Sequence, residues 1–304
     1  MMLTVVRQQI LQRLPAQGES GRLFHGRGHC FPGYEDLLID YYPPVVLVTL
    51  YRQRDDDWLR QLCCLLAELL PDLQAVWLQE RFLVNAPGRL LSGRLPATVD
   101  AMENGLRFRL RLGDAQNVGF FPDMASGRAV VRERSGNRSV LNLFAYTCSF
   151  SVAAMAGGAS RVVNLDMNRG ALDLGRINHQ LNSQDLRAVS FLPHELFRSQ
   201  SRLRRLGPFD LIVCDPPATQ GKSFTAERHW PKLVRRLPEL LNPGGEVLAC
   251  LSAPHLPPRF LDDLVLASAP SLAKIGSYTA GAAFPEHYPQ RGLNLALFRM
   301  ENKN

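Results

Sequence analysis

The chain is poor in lysine, in paired cysteines and in long apolar runs, and each shortage excludes something. Its 35 basic residues include only four lysines, Lys222, Lys232, Lys274 and Lys303, so the formal charge of +7 is carried by arginine. So small an excess permits a nucleic-acid surface without identifying one. The six cysteines (Cys30, Cys63, Cys64, Cys148, Cys214, Cys250) form no C-x-x-C pair and show no regular ligand spacing. That argues against a disulfide framework and against a metal cluster. Four of them lie inside apolar runs and read as small buried thiols of a chain in a reducing cytoplasm. The longest apolar stretches, near 43–50 and 62–70, are too short to span a bilayer. Residues 1–20 carry a five-residue apolar start broken by Arg7, which does not read as a signal peptide. Internal repeats and low-complexity tracts are also missing.

What is present is 304 residues, 46% hydrophobic and 21% charged, enough for one large domain or two modest ones. The first third mixes short strands with a helix. Residues 44–51 and 75–78 read as strands, and 56–70 as an amphipathic helix led by Asp55 to Asp57. Residues 106–112 alternate strictly, putting Arg107, Arg109 and Arg111 on one face. That face is either solvated or set against a phosphate backbone. Beyond about residue 125 the rhythm is strand–helix–strand. Strands fall at 139–144, 161–165, 187–191, 209–214, 245–251 and 292–299, with 271–276 a candidate for another. The helices between them fall near 149–157, 168–182, 195–206 and 227–240. Short apolar runs between helices describe an α/β domain with a mostly parallel sheet. The expected division is an accessory α+β region over 1–115 and an α/β domain over 116–304.

Such a sheet binds ligands beyond the carboxyl ends of its strands. The first strand runs into Ala145-Tyr146-Thr147-Cys148-Ser149 with no G-x-G-x-x-G, so a dinucleotide is disfavoured. Asp166 closes the next strand about 22 residues on, placed either to accept from ribose hydroxyls or to cap the following helix. The strand FDLIVC runs out as Asp215-Pro216-Pro217, a stiff rim carrying a carboxylate at the ligand edge.

With these motifs on view, the block 118–299 resembles the class I S-adenosylmethionine-dependent methyltransferases of the bacterial large-subunit ribosomal RNA group, which includes cytosine-5 and guanine-N7 enzymes. The matching stretches are NVGFFPDMASGR, SVLNLFAYTCSFSVAAMAGGASRVVNLDMNRGALDLGRINHQLN, FDLIVCDPPATQGKSF, LLNPGGEVLACLSAP and PEHYPQRGLNLALFR. Residues 21–51 are similar to the region preceding that domain in the group, with no room for the PUA-type module some members carry. The resemblance implies a Rossmann-like, mostly parallel seven-stranded sheet with a C-terminal antiparallel strand, and S-adenosylmethionine as cofactor. It implies that Asp166 binds the ribose, Met167 lines the adenine and Glu195 lies near the adenine amine, with His194 where another acid is usual. Phe144, Ala145, Tyr146 and Thr147 would run beneath the methionine part, closed over by Phe121 and Asp123. Asp215, Pro216 and Pro217 would lie where cofactor and target base meet and carry the catalytic role. The sequence departs from the group at Cys148, where a glycine is usual, so the loop is expected to adopt a conformation that tolerates a Cβ. It departs again at Pro122-Asp123-Met124-Ala125, which loses a basic partner that Arg128 is a candidate to replace. The aromatic that usually follows the double proline closely is delayed to Phe224.

Carbon-5 of cytosine needs a cysteine adding at carbon-6, whereas a nitrogen acceptor needs chiefly alignment and exclusion of water. In the cytosine-5 members the thiolate follows the strand after Pro-Gly-Gly. Here that position is Ser252, with Cys250 two residues earlier. The preferred reading is methylation of a guanine nitrogen in ribosomal RNA. Cytosine C5, a small-molecule or protein acceptor, and a non-catalytic RNA-binding relative stay open. RNA is the expected partner, with no membrane and no metal, and monomer or homodimer undecided. Arg198, Arg202, Arg204 and Arg205, then Arg228, His229, Lys232, Arg235 and Arg236, form candidate basic faces, and Phe224, Trp230 and Tyr288 candidate base-stacking rings. Residues 284–287, with His287, are candidates for part of the acceptor pocket.

Overall fold

The computed structural model describes residues 3–113, 116–221 and 223–301. It divides into two units, Met1–Pro122 with Gly281–Pro289, and Asp123–Ala280 with Gln290–Asn304. Ala115, the last residue of the expected accessory region, lies outside the described residues.

The first unit contains α1 (Thr4–Gln12), β1 (Gly21–His25), β2 (Leu37–Tyr42), β3 (Val45–Leu50), α2 (Asp56–Leu69), β4 (Ala75–Glu80), β5 (Gly88–Gly93), β6 (Val99–Glu103) and β7 (Leu106–Leu110). Strands β1 to β5 form one sheet in chain order. Only β3 and β4 pair in parallel within it, because α2 carries the chain back across the sheet between them. The Asp55 side chain accepts from the amide of Trp58 and starts α2, whose Trp58, Leu59, Leu62, Leu65 and Leu66 are buried. They join the core formed by Phe24, Ile39, Val48 and Leu78. The β6–β7 hairpin turns at Asn104 and Gly105, both with positive φ (51° and 77°). Its alternation buries Leu106, Phe108 and Leu110. The opposite face is partly neutralised, because Arg109 pairs with Asp100 and Arg107 approaches it at 3.9 Å.

The second unit contains α3 (Ala125–Arg134), β8 (Ser139–Leu143), α4 (Ser149–Ala156), β9 (Arg161–Asp166), α5 (Arg169–Leu181), β10 (Val189–Pro193), α6 (Gln200–Leu206), β11 (Phe209–Cys214), the short pair β12 (Thr219–Gln220) and β13 (Phe224–Thr225), α7 (Ala226–Val234), β14 (Leu241–Leu251), α8 (Phe260–Ser268), β15 (Leu272–Thr279) and β16 (Asn294–Met300). Its seven-stranded sheet has the order β10-β9-β8-β11-β14-β16-β15. β16 runs antiparallel to both neighbours while the remaining pairings are parallel. This is the Rossmann-like sheet expected from the sequence. The strand order reverses between β8 and β11, so the crevice beyond their carboxyl ends is the place for a ligand.

Two helices are shorter than their apolar periodicity suggests. The helix expected from 195 begins at Gln200, because the Glu195 carboxylate takes the amides of Phe197 (2.9 Å) and Arg198 (2.8 Å) into a separate turn. The helix expected to 240 stops at Val234 and resumes as a 3-10 turn over Leu237–Leu240. Pro238 disfavours α geometry at Leu237 and breaks the run.

Candidate active site

A narrow cleft lies at the carboxyl ends of β8, β9 and β10. Phe144 comes from β8, Leu165, Asp166 and Met167 from β9, His194 to Phe197 from the turn after β10, and Gln220, Ser223 and Phe224 from the β12–β13 pair. The sequence-predicted Phe144, Asp166, Met167 and Glu195 therefore share one cleft. Phe224, a candidate for base stacking, is instead 1% exposed and packs edge-on against Phe144 at 5.0 Å, forming wall. Trp230 is core, also 1% exposed.

Asp166 Oδ2 accepts the amide of Tyr146 and Oδ1 that of Asn168, each at 2.8 Å. Burial raises its carboxyl above the usual range, against the lowering effect of those amides. With the Met167 amide also bonded to it, the carboxylate still has acceptor capacity for a further donor. A diol beside apolar walls of Phe144, Leu165, Leu196 and Phe224 suits this arrangement, so the donor set and the walls fit an adenosine. Glu195 faces the same cleft, although both of its oxygens already hold backbone amides.

The loop after β8 is tightly wound. Phe144, Tyr146 and Cys148 have φ of 57°, 46° and 62°, and the Cys148 amide donates to the Ala145 carbonyl at 2.7 Å. Cys148 thus sits in the left-handed region, and the loop accommodates its Cβ there. Its side chain is fully buried. Gly175 on α5 makes the space, since a Cβ there would overlap Cys148 Sγ and lie 2.9 Å from its Cβ. Thr147 is buried, and its carbonyl accepts from Asn178 Nδ2 at 2.9 Å.

Beneath the loop runs a buried polar chain that sequence reasoning missed. Asn142 Nδ2 donates to Asn164 Oδ1, Asn164 Nδ2 to Ser151 Oγ, and Ser151 Oγ meets His179 Nε2, each at 2.9 Å. His179 Nδ1 meets Gln184 Oε1 at 2.6 Å. Burial holds His179 down to about 4, so the ring is neutral, with its proton on Nδ1 toward the Gln184 carbonyl. The signal was present as an asparagine in each of two apolar strands, SVLNL and RVVNLD, in paired register.

Asp215 follows β11 as a half-buried carboxyl beside Pro216, which is buried, and Pro217, which is exposed. It is not part of the cleft lining. Burial pushes it up to about 7, the Asp123 charge pushes in the same direction, and Arg128 opposes them. Arg128, 2% exposed, thus acts on Asp215 as the candidate basic partner. Cys214 and Cys250 are both fully buried, and burial, reinforced by Asp215, holds both thiols well above their usual range. Ser252 is exposed at the end of β14. Phe121, Tyr288 and His287 belong to the other unit. Among the described residues no group of three or more His, Cys, Asp or Glu could hold a metal ion, and no helix is long and apolar enough to cross a membrane.

The basic faces are partly occupied. Arg204 pairs with Glu239, Arg202 donates to His194 Nε2 at 2.8 Å, and Arg235 Nε donates to the Pro231 carbonyl at 3.1 Å. Arg198, Arg205, Arg228 and Lys232 remain exposed.

A family model for S-adenosylmethionine-dependent methyltransferases matches residues 21–299. Among curated proteins, the chain is 32% identical over 188 residues to ribosomal RNA large subunit methyltransferase I of Serratia proteamaculans, covering 60% of the chain and 47% of that protein. It is 31% identical over 206 residues to the Aeromonas salmonicida protein of the same name, covering 63% and 52%. The chain therefore spans about half the length of the curated relatives it matches. Among solved structures, SMU.776 in complex with SAH superposes with a TM-score of 0.85 at 22% identity, over 97% of this chain and 78% of that one. The SAM-dependent methyltransferase from Agrobacterium tumefaciens gives 0.68 at 20% identity, over 88% of each chain.

Proposed function

The chain belongs to the S-adenosylmethionine-dependent methyltransferases, and from that premise we propose that it methylates a base nitrogen of RNA, with ribosomal RNA as substrate class and guanine as the favoured base. The names of the curated relatives support the substrate class. The observation that carries the choice of nitrogen is the state of the thiols. Cys250 is fully buried and held protonated, and the position where a cytosine-5 nucleophile would follow is Ser252. A protonated, enclosed thiol is no nucleophile for carbon-6 of a pyrimidine.

S-adenosylmethionine, when bound, supplies an electrophilic methyl group on a sulfonium. Asp166 would hold the ribose hydroxyls, and Phe144, Met167 and Leu196 would enclose the adenine. The Asp215-Pro216-Pro217 rim would orient the acceptor base. With its carboxyl near 7, Asp215 accepts a hydrogen bond from a base N–H when ionised, and can take the proton released when the acceptor is an N–H nitrogen, such as guanine N1 or the exocyclic amine, whereas N7 has none to release. The cytoplasm is the compartment that suits this reading.

The test is a nucleoside digest of ribosomal RNA methylated in vitro by the protein, using RNA from a deletion strain. A methylguanine product is expected. A 5-methylcytosine product, with turnover abolished in Cys250→Ser, would overturn the nitrogen reading. Transfer to no RNA at all would remove RNA as substrate.

A further inference from the structure

We infer that Arg27, Tyr51 and Arg81 of the first unit form a docking face for single-stranded RNA, a proposal that rests on the RNA reading above. Strands β3 and β4 end in register at Leu50 and Glu80, and the chain continues as Tyr51 and Arg81. The Arg27 guanidinium lies over the Tyr51 ring at 4.3 Å and that of Arg81 at 5.9 Å. One aromatic ring is thus flanked by two cations at the carboxyl ends of the unit's parallel strand pair.

Many arginines of this unit already hold a carboxylate. Arg22 is paired with Asp40, Arg52 and Arg54 with Asp36, and Arg109 with Asp100. Among the described residues Arg27 and Arg81 have no carboxylate partner; Arg81 donates instead to the Gln116 carbonyl at 2.6 Å and to Asn117 Oδ1 at 2.9 Å. Arg27 is exposed and neither guanidinium is neutralised by a carboxylate, so both are available to an anion from outside the unit. Their stacking on tyrosine presents a planar face for a base, with N–H edges for phosphate.

The cluster is also held in place. Arg27 is the exposed residue of the Gly26–Gly28 turn, and both glycines sit too close to backbone to admit a side chain. A Cβ on Gly26 would overlap the Tyr34 carbonyl oxygen, and one on Gly28 the Pro285 carbonyl oxygen. The His287 amide donates to the Gly28 carbonyl at 2.7 Å, so residues 285–287 clamp the turn from the other side. A fixed turn presents its arginine with less entropy left to lose on binding. Phosphate contact supplies the affinity and stacking on Arg27 the preference for unpaired bases.

The test is fluorescence anisotropy with a short labelled single-stranded oligoribonucleotide and its duplex, across a salt series. Arg27→Ala and Arg81→Ala should each weaken single-strand binding roughly tenfold. Each should reduce the slope of log affinity against log salt by about one. Arg27→Lys should restore the slope without the full affinity, and Tyr51→Phe should bind as the parent does. Affinity for S-adenosylmethionine, read by calorimetry, should be the same throughout. Arg27→Glu, at an exposed position, keeps the test decisive if Arg81→Ala does not fold. If the parent binds RNA and Arg27→Glu binds equally well, the docking face is wrong while the RNA reading stands. Equal losses on single strand and duplex would overturn the stacking role. A parent that binds no RNA overturns both.

Discussion

Glu246 and Asp215 are carboxyls on adjacent strands of one sheet, and the fold keeps them in opposite states. Glu246 is fully buried. Burial alone would push its carboxyl up, yet Arg299, Arg134 and Arg138, at 2.7, 3.0 and 3.1 Å, outweigh that and hold it below the usual range. For Asp215 burial is the main push, like charge from Asp123 adds to it, Arg128 alone opposes them, and the carboxyl rises to about 7. Burial pushes both carboxyls up, and the set of counter-charges around each decides whether that push is overcome. Glu246, at the middle of β14, ties three arginines together. Asp215, beyond the carboxyl end of β11, is left able to gain or lose a proton near neutrality.

Four measurements can break or sharpen this contrast. Asp215→Asn should lower turnover by about a hundredfold to a thousandfold, with cofactor affinity little changed. Parental turnover in that variant would place proton transfer elsewhere. Glu246→Gln should cost about 3 kcal/mol in urea unfolding, because three arginines lose their common anion. A loss under about 1 kcal/mol would mean that solvent already satisfies them.

The third concerns pH, where the two groups act with opposite sign. Glu246 has a lowered folded value, so its stabilisation is present above the ordinary carboxyl range and is lost as pH falls through that value. Asp215 has a raised one, so its contribution is complete below its ordinary value of 3.8 and is lost as pH rises through about 7. Asp215→Asn should therefore gain about 1–2 kcal/mol over the parent at about pH 8 and nothing near pH 3–4. An unchanged pH slope would show that Asp215 is an ordinary carboxylate.

The smallest effect concerns the cofactor loop. Gly175→Ala should cost about 1–3 kcal/mol by crowding Cys148. Cys148→Gly should be close to neutral, since relief of its left-handed backbone offsets the lost packing. The double variant should recover about 1 kcal/mol of the Gly175→Ala loss. Strict additivity would mean that the two positions do not share space.

Much of the second unit was legible in the sequence because its signals are local. Strand runs such as FDLIVC and RVVNLD, and the motifs at Asp166 and Asp215, sit at the ends of elements whose periodicity marks them. Less local features were not readable. Residues 195–199 carry a helix-like pattern, but the Glu195 carboxylate captures the amides of Phe197 and Arg198. Phe224 and Trp230 read equally well as stacking rings or as packing, and only their neighbours place them in wall and core. The exchange of a glycine for Cys148 reads as a defect along the chain and resolves only against Gly175, which comes 27 residues later.

By itself the sequence determined the strand–helix alternation, the absence of a dinucleotide loop, the carboxylates at the strand ends and the want of a cysteine at position 252. All of these follow from residue type and near-neighbour spacing. The tertiary structure decided which carboxyl is poised and which is neutralised, which thiols are sealed, and that Arg27 and Arg81 meet over the Tyr51 ring. Those properties depend on distances between residues far apart in the chain, and a charge is stabilised or stranded by whatever the fold brings beside it.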